Sequence, residues 1–382
     1  MDYHDEFILD PTVIYLNHAA VAPWPRRTAA AVTAFAEENA RCGSQHYLRW
    51  AETEARLRGR LARLLGASSS DDVALLKSTS EGLSVVAYGL DWRSGDNVVS
   101  AREEFPSNRI VWESLADQGV ALHRVPLSRA PDPEGALLDA IDGRTRLLSI
   151  SAVQYGDGLR LDLERLGRGC RKRGVLFCVD AIQALGAVAF DVRAAQADFV
   201  AADGHKWMLG PEGLAVFYVR PELRERLRLR QYGWHMVEAV GDFDRPVWEP
   251  AHSARRFECG SPNMLGIYGL EASLALIETI GIAHIEKEIL ENTRYLIDII
   301  QELHYLELIS PPDDSRRAGI VTARPRESTA EGLSAYLRGH GVQCALRGGG
   351  VRFSPHFYTP RDRLDALAQM LADYPRAVSG GT

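Results

Sequence analysis

The stretch Ala197-Asp198-Phe199-Val200-Ala201-Ala202-Asp203-Gly204-His205-Lys206-Trp207-Met208-Leu209-Gly210-Pro211-Glu212-Gly213 decides the fold of this chain. It passes from an apolar segment typical of a buried strand to a His-Lys pair and a Gly-Pro-Glu-Gly turn. Because an unpaired ammonium is expensive to bury, Lys206 is either a solvated loop residue or a covalently used amine. A lysine in a desolvated pocket has a lowered pKa and condenses with aldehydes to form a Schiff base.

A second apolar segment, Gly174-Val175-Leu176-Phe177-Cys178-Val179-Asp180-Ala181-Ile182-Gln183-Ala184, ends its strand-like part at an aspartate. Pyridoxal 5'-phosphate (PLP) needs a carboxylate that keeps its pyridine nitrogen protonated, so that the ring can accept electrons. Neighbouring parallel strands bring such groups to one edge of a sheet, where open α/β sheets bind ligands. The two segments predict a PLP site with Lys206 as the Schiff-base lysine and Asp180 at the pyridine nitrogen.

Seven motifs lie along nearly the whole chain. They are Tyr15-Leu16-Asn17-His18-Ala19-Ala20, Ser78-Thr79-Ser80-Glu81-Gly82, Glu104-Phe105-Pro106-Ser107-Asn108, Val179-Asp180-Ala181-Ile182-Gln183, Gly204-His205-Lys206-Trp207, Gly260-Ser261-Pro262-Asn263 and Val351-Arg352-Phe353-Ser354-Pro355-His356. In this order they resemble the motifs of the class V aminotransferase family, which includes cysteine desulfurases, isopenicillin N epimerase-like proteins and related carbon–sulfur lyases. The resemblance implies the α/β fold of type I PLP enzymes, with a mostly parallel central sheet and a smaller α+β C-terminal domain.

The length and the order of the predicted elements give the domain organisation. A chain of 382 residues is expected to divide into two domains. Helices and strands alternate from residue 72 to residue 219, which predicts a mostly parallel sheet with right-handed crossovers. We expect an N-terminal arm over residues 1–25 that packs with the small domain, a large PLP-binding domain over 26–264 and a small C-terminal domain over 265–382.

The resemblance also implies which residues hold the cofactor. Some of these residues have ordinary explanations too: Thr79-Ser80-Glu81 is a plausible helix cap, Phe105 could be a core residue, and the Gly260 segment could be a turn before a helix. The implied roles are phosphate binding by Ser80 and the backbone of Thr79, ring stacking by Phe105, contact with the ring hydroxyl by Gln154, fixing of the phosphate and the Schiff base by Gln183 and His205, and contact with the phosphate of a partner subunit by Gly260 and Ser261.

Arg352 is the predicted ligand of the substrate carboxylate, because a guanidinium pairs with a carboxylate through two hydrogen bonds. It matches the carboxylate-binding arginine of the resembled family, although a structural ion pair is the alternative. His18 and His46 are further candidates for substrate contacts, and a surface loop is the alternative for His46. Asp203 does not fit this pattern: many relatives have a hydroxyl residue there, and a carboxylate would repel a phosphate. We expect Asp203 to point away.

The reaction follows less directly from the residues. Cysteine desulfurases usually have a histidine where this chain has Phe105, and Phe cannot transfer a proton. Cys344 alternates with Val342 and Leu346, which predicts a buried and inert thiol. On the family resemblance we favour C–S cleavage of a cysteine-derived L-amino acid after Lys206 removes the Cα proton, with an aminotransferase or an epimerase as alternatives.

Two other classes are also considered. A nicotinamide oxidoreductase would suit the α/β alternation, but no GxGxxG motif follows the first strand. A non-catalytic PLP-binding protein would not need Lys206, Asp180 and Arg352 together.

Composition limits the partners and the compartment. The formal net charge of −7 disfavours nonspecific binding to nucleic acid or anionic membranes. The five cysteines show neither disulfide nor zinc spacing, and no metal site is predicted. With no signal-like apolar segment at the N-terminus, we expect a cytoplasmic protein. The family resemblance implies a homodimer with shared active sites. The chain has only four lysines, Lys77, Lys172, Lys206 and Lys287, which narrows the choice of the Schiff-base residue.

Overall fold

A computed structural model describes residues 3–128 and 130–379 as three β-sheets with helices packed on them. The strands are β1 (Ile14–Tyr15), β2 (Val73–Leu76), β3 (Asn97–Ala101), β4 (Ala121–Val125), β5 (Thr145–Ser151), β6 (Leu176–Asp180), β7 (Phe199–Asp203), β8 (Ala215–Val219), β9 (Leu306–Leu308), β10 (Val321–Pro325), β11 (Val342–Gln343), β12 (Ala345–Arg347) and β13 (Gly350–Phe353). The helices are α1 (Arg26–Cys42), α2 (Tyr47–Leu65), α3 (Thr79–Gly89), α4 (Ser107–Glu113), α5 (Pro133–Asp139), α6 (Leu163–Arg173), α7 (Met264–Ile280), α8 (Ile282–Glu302), α9 (Ala330–Gly339) and α10 (Arg361–Ser379).

The central sheet has seven strands in the order β2-β8-β7-β6-β5-β3-β4. Strands β7, β6, β5, β3 and β4 are parallel to one another, whereas β8 is antiparallel to both β7 and β2. Strands β7 and β8 are buried along their whole length, which explains why their sequences are continuous apolar runs rather than alternating ones. The predicted α/β fold with a mostly parallel central sheet is confirmed.

The C-terminal part contains a smaller sheet of four antiparallel strands in the order β12-β13-β10-β9, which packs with α8, α9 and α10. The N-terminal arm joins this part of the chain, because β1 pairs in parallel with β11. Helix α7 instead packs on α1 and α2. The boundaries proposed at residues 25 and 264 stay a prediction.

No single helix in the described ranges is long and apolar enough to cross a membrane. Helices α7 and α8 meet the length and composition criteria only when taken together, and they are bent by 84° where they join. Their apolar residues, such as Leu270, Leu274, Ile285 and Leu296, are buried in the fold, so core packing accounts for their composition.

Candidate active site

The ends of β6 and β7 bring the predicted catalytic pair together. Asp180 is the last residue of β6 and pairs in register with Ser151 of β5 and Ala201 of β7. Lys206 follows the end of β7 by three residues. Both side chains are buried. The charge of Lys206 acts to lower the pKa of Asp180, and the charge of Asp180 acts to raise the pKa of Lys206. The structure therefore places Asp180 and Lys206 in one site at the carboxyl edge of the sheet, as expected for this topology.

The turn that carries Lys206 is fixed from several sides. The N–H of Leu209 donates to the carbonyl of Lys206 at 2.9 Å, and Leu209 itself has a left-handed φ of 61°. Such a conformation is costly for leucine and persists only when the surroundings impose it. Gly186 allows the turn to approach, because a Cβ there would lie 2.3 Å from the carbonyl oxygen of Trp207. Lys206 is thus held by a rigid backbone.

Gln183 supports this turn rather than offering a free amide. Its Nε2 donates to the carbonyl of Ala19 at 3.0 Å, and its Oε1 accepts from Nε1 of Trp207 at 2.8 Å. Both polar ends of the buried side chain are engaged, so it links the N-terminal arm to the residue after Lys206. Its predicted contact with the Schiff base or the phosphate stays a prediction, and its observed contacts indicate a positioning role.

The surroundings of Lys206 lower its pKa, which favours the neutral amine that can act as a nucleophile and a base. Burial lowers the pKa of Lys206 to about 8, opposed by Asp180 and reinforced by the guanidinium groups of Arg352 and Arg347. Since the ordinary value is 10.5, a much larger fraction of this amine is neutral near pH 8 than for a solvated lysine. Arg347 was not singled out as a site residue from the sequence.

The acid that faces this amine is also perturbed. Burial raises the pKa of Asp180 to about 7, opposed by the hydrogen bond from the backbone N–H of Ile182 and reinforced by the nearby carboxyl of Glu104. A cationic partner placed beside a carboxyl group with this raised pKa stabilises its ionised form and is bound strongly by it. A protonated pyridine nitrogen is such a partner.

Phe105 and Arg352 lie on the same side of the site as Lys206. The Nζ of Lys206 is 5.6 Å from the centre of the Phe105 ring, and the ring of Tyr155 meets that of Phe105 edge to face at 5.2 Å. Arg352 is buried and donates through Nη1 to the carbonyl of Tyr155 at 2.8 Å. Burial lowers the pKa of Arg352 to about 10, and no carboxylate contributes to that shift. The structure thus brings an aromatic face and a buried guanidinium close to Lys206.

Glu104 is a site residue that the sequence reasoning missed. It is buried and accepts hydrogen bonds from the N–H of Ser151 at 2.7 Å, from the Ser151 hydroxyl at 2.5 Å and from Nε2 of Gln154 at 2.9 Å. Burial raises the pKa of Glu104. The motif predicted a role for its neighbour Phe105, whereas nothing in the local sequence indicates that this glutamate points inward. Gln154 is buried beside it, with the amide oriented by Glu104.

Asp203 corrects one expectation. It does not point away from the predicted phosphate site: its Oδ2 accepts from the N–H of Thr79 at 2.8 Å and from the Thr79 hydroxyl at 2.9 Å. The backbone donor of Thr79 is therefore engaged by a carboxylate at the N-terminus of α3. The Ser80 hydroxyl is exposed and donates to the hydroxyl of Ser107 at 2.8 Å.

The two histidines proposed as substrate contacts lie in different surroundings. His18 is fully buried, with Nδ1 hydrogen-bonded to the carbonyl of Ser354 at 2.8 Å and Nε2 to the hydroxyl of Tyr358 at 2.7 Å. Burial lowers its pKa to about 4, so His18 is a neutral packing residue between the arm and the C-terminal part. We do not retain it as a substrate contact. His46 lies half-buried just before α2, and its predicted contact stays a prediction.

Gly260 and Ser261 are not brought to Lys206 within one chain. They line a separate cleft together with Lys77 and Glu81. The turn is anchored by the buried Glu258, which accepts two hydrogen bonds of 2.6 Å from Arg58 and one of 2.9 Å from the N–H of Leu75. These contacts fix the turn on the body of the protein.

The residues around Lys206 fit PLP. Two buried polar atoms there have no hydrogen-bond partner among the described residues: Oε1 of Gln154 and Nε of Arg352. Buried polar groups are normally satisfied, so such a group of orphaned atoms beside a reactive amine indicates a ligand with polar substituents. A desolvated lysine, a buried carboxyl and an aromatic face are the groups that PLP requires.

These features define a PLP-dependent enzyme. The chain belongs to the class V aminotransferase family, whose model, Aminotransferase class-V, matches residues 14–367. It is 31% identical over 385 aligned residues to a probable cysteine desulfurase of Methanothermobacter thermautotrophicus, with 94% of each chain covered.

Solved structures show the same fold. A cysteine desulfurase from Thermococcus onnurineus in its apo form has a TM-score of 0.83 at 23% identity, with 94% of each chain covered. The cystine C–S lyase C-DES, in complex with its reaction product cysteine persulfide, has a TM-score of 0.87 at 21% identity, covering 95% of this chain and 98% of that one. The predictions of family, fold and cofactor are confirmed.

Proposed function

We propose that this protein cleaves the C–S bond of a cysteine-derived L-amino acid and releases the sulfur fragment, pyruvate and ammonia. The observation that carries the proposal is the arrangement around Lys206: a base of lowered pKa, an aromatic face 5.6 Å away and an unpaired guanidinium for a carboxylate. The names of the relatives, cysteine desulfurase and cystine C–S lyase, support carbon–sulfur chemistry over other reactions of the family.

The chain's own residues account for the steps. When bound, PLP supplies an electron-accepting ring conjugated to the substrate nitrogen. Arg352 binds the substrate carboxylate, Lys206 takes the proton from Cα, and Asp180 stabilises positive charge on the ring nitrogen. The Cβ–S bond then breaks with its electrons leaving on sulfur. In balance, RS–CH2–CH(NH3+)–COO− and water give RSH, pyruvate and ammonium.

The burial of Cys344 supports release of the sulfur fragment over its transfer to this cysteine. Burial raises the pKa of Cys344 to about 11, so its thiolate is scarce at neutral pH. It lies between β11 and β12, and the turn from β12 to β13 consists only of Gly348 and Gly349. A transfer enzyme would form alanine from cysteine, whereas this reaction forms pyruvate.

We further propose a homodimer in which the turn at Gly260 and Ser261 of one subunit reaches the cofactor phosphate of the other. The separation of this turn from Lys206 within one chain supports the proposal. Sedimentation of the PLP-loaded protein should give twice the chain mass of 42.2 kDa. A cytoplasmic location stays a prediction.

The test is a product assay with PLP-loaded protein. L-cystine, L-cysteine and an S-alkyl cysteine are supplied separately, and pyruvate, ammonia, released thiol and alanine are quantified. Equal amounts of pyruvate and ammonia are expected, with no alanine, and Lys206→Ala should abolish them. Amine exchange with an added keto acid would instead establish an aminotransferase, and formation of a D-amino acid an epimerase; either result without C–S cleavage would overturn the proposal.

A further inference from the structure

The carboxylate of Asp203 has two neighbours, one at each oxygen. Its Oδ2 accepts both hydrogen bonds from Thr79, while its backbone N–H donates to the Thr79 hydroxyl at 3.0 Å. Its Oδ1 is turned to the other side and lies 3.8 Å from Nδ1 of His205. The side chain is therefore shared between the N-terminus of α3 and the residue that precedes Lys206.

His205 is held in place by its backbone while its ring remains available. Its carbonyl accepts from the N–H of Ala22 at 2.8 Å, but its Nδ1 is buried without a partner among the described residues. The charged groups that act on the ring are Asp203 and Glu212, which favour its protonated form, and Lys206, which disfavours it. Burial, the largest cause, lowers the pKa of His205. The separation of 3.8 Å exceeds a hydrogen bond, and a small rotation of the ring would close it.

An isolated carboxylate at this place would oppose a phosphate. A cation between the two anions reverses the sign of that effect, because it makes a charge-assisted hydrogen bond on each side. His205 is the side chain that can take this position, with Nδ1 toward Asp203 and Nε2 free for the ligand.

We propose that Asp203 is a positioning residue that orients His205 and keeps it charged, so that His205 donates to the phosphate of the cofactor. This inference rests on the proposed function, since it assumes that PLP binds at Lys206. It also explains why a carboxylate is tolerated at a phosphate site. The competing explanation is that Asp203 only braces α3 through Thr79.

The experiment measures dissociation constants of the apo-protein for PLP and for pyridoxal, which lacks the phosphate, at about pH 6 and about pH 8, on either side of the titration range of histidine. Four variants are compared with the unaltered chain: Asp203→Asn, His205→Gln, the double variant and Thr79→Val. The ratio of variant to unaltered constants cancels the titration of the phosphate itself.

If Asp203 acts through His205, Asp203→Asn weakens PLP binding about tenfold near pH 8, the value of one charge-assisted bond. The loss shrinks near pH 6, because the free-energy cost of protonating the imidazole falls as the pH falls. Pyridoxal binding stays within about twofold at both pH values, and the double variant binds PLP no worse than His205→Gln. Any weakening of PLP binding by Thr79→Val should be the same at both pH values.

Tighter PLP binding by Asp203→Asn, or additive losses in the double variant, would overturn the inference. Should Asp203→Asn fail to fold, Asp203→Ser gives the same comparison, because its hydroxyl can still accept from Thr79. Failure of the unaltered protein to take up PLP would refute the proposed function, and that result is distinct from either outcome above.

Discussion

Glu104 fixes the amide of Gln154 through a hydrogen bond of 2.9 Å, with Nε2 as the donor and the carboxylate Oε1 as the acceptor. The same oxygen accepts from the N–H of Ser151 at the end of β5. The orientation leaves Oε1 of Gln154 buried and without a partner among the described residues. Glu104 thereby determines which atom of Gln154 remains without a partner in the part of the chain that the structure describes.

The first prediction separates the hydrogen bonds of Glu104 from its charge. Glu104→Gln keeps an acceptor for Ser151 and Gln154, so its stability should remain close to that of the unaltered protein. Glu104→Ala leaves three buried donors unsatisfied and should cost on the order of 3 kcal/mol in the free energy of unfolding. Denaturant unfolding of the apo-protein measures both.

The neighbouring Glu103 provides the matched control. Its carboxylate accepts hydrogen bonds from the backbone N–H groups of Leu127 and Ser128. Glu103→Ala should destabilise the protein without changing the absorbance of bound PLP, whereas Glu104→Ala should change both. Equal stability of the two Glu104 variants would contradict the assigned role.

The sequence predicted those features that depend on residues close together in the chain. Lys206 and Asp180 were found because each ends an apolar run, and the parallel sheet followed from alternation along residues 72–219. The partners of Asp203, Glu104 and His18 could not be found in this way. Thr79 is 124 residues from Asp203, and Ser354 is 336 residues from His18. Such contacts satisfy buried polar groups only after the layers have packed.

The second prediction concerns Arg352 and the substrate carboxylate. Arg352→Lys keeps the charge but loses the paired hydrogen bonds, so KM for an amino-acid substrate should rise at least about tenfold. A cysteamine derivative, which lacks the carboxylate, should react equally with both proteins. Arg324→Lys is the control, because Arg324 pairs with Glu307 on the neighbouring strand. An unchanged KM in Arg352→Lys would place the carboxylate elsewhere.

The third prediction tests whether Cys344 takes part in the reaction. Cys344→Ala should leave kcat/KM within about twofold, because a thiol of raised pKa supplies little thiolate. The loss of a small buried group should lower the free energy of unfolding by about 1 kcal/mol. Rates of pyruvate formation and thermal unfolding are the measurements. Loss of all sulfur release in a folded Cys344→Ala protein would show that the chain does accept sulfur.

The last prediction follows from the buried carboxyl of Asp180. Its pKa in the folded protein is raised to about 7 from 3.8, so the neutral acid contributes stability that is fully present below about pH 4 and is lost progressively as the pH rises to about 7. Asn cannot ionise and has no such loss. The Tm of apo Asp180→Asn should therefore come closest to that of the unaltered apo-protein near pH 4, and its excess should grow with pH to about 2 °C or more near pH 8.5.

Two comparisons make this prediction specific. The ammonium of Lys206 favours ionised Asp180, so the gain near high pH should be larger when both proteins also carry Lys206→Met. Asp198, another buried aspartate, pairs with Arg220 at 2.7 Å, and Asp198→Asn should destabilise the protein because it removes the buried carboxylate from this ion pair. If Asp180→Asn also lowers Tm at high pH in the Lys206→Met background, the carboxylate is stabilised in the folded apo-protein, and the site would not be poised to receive a cationic ring.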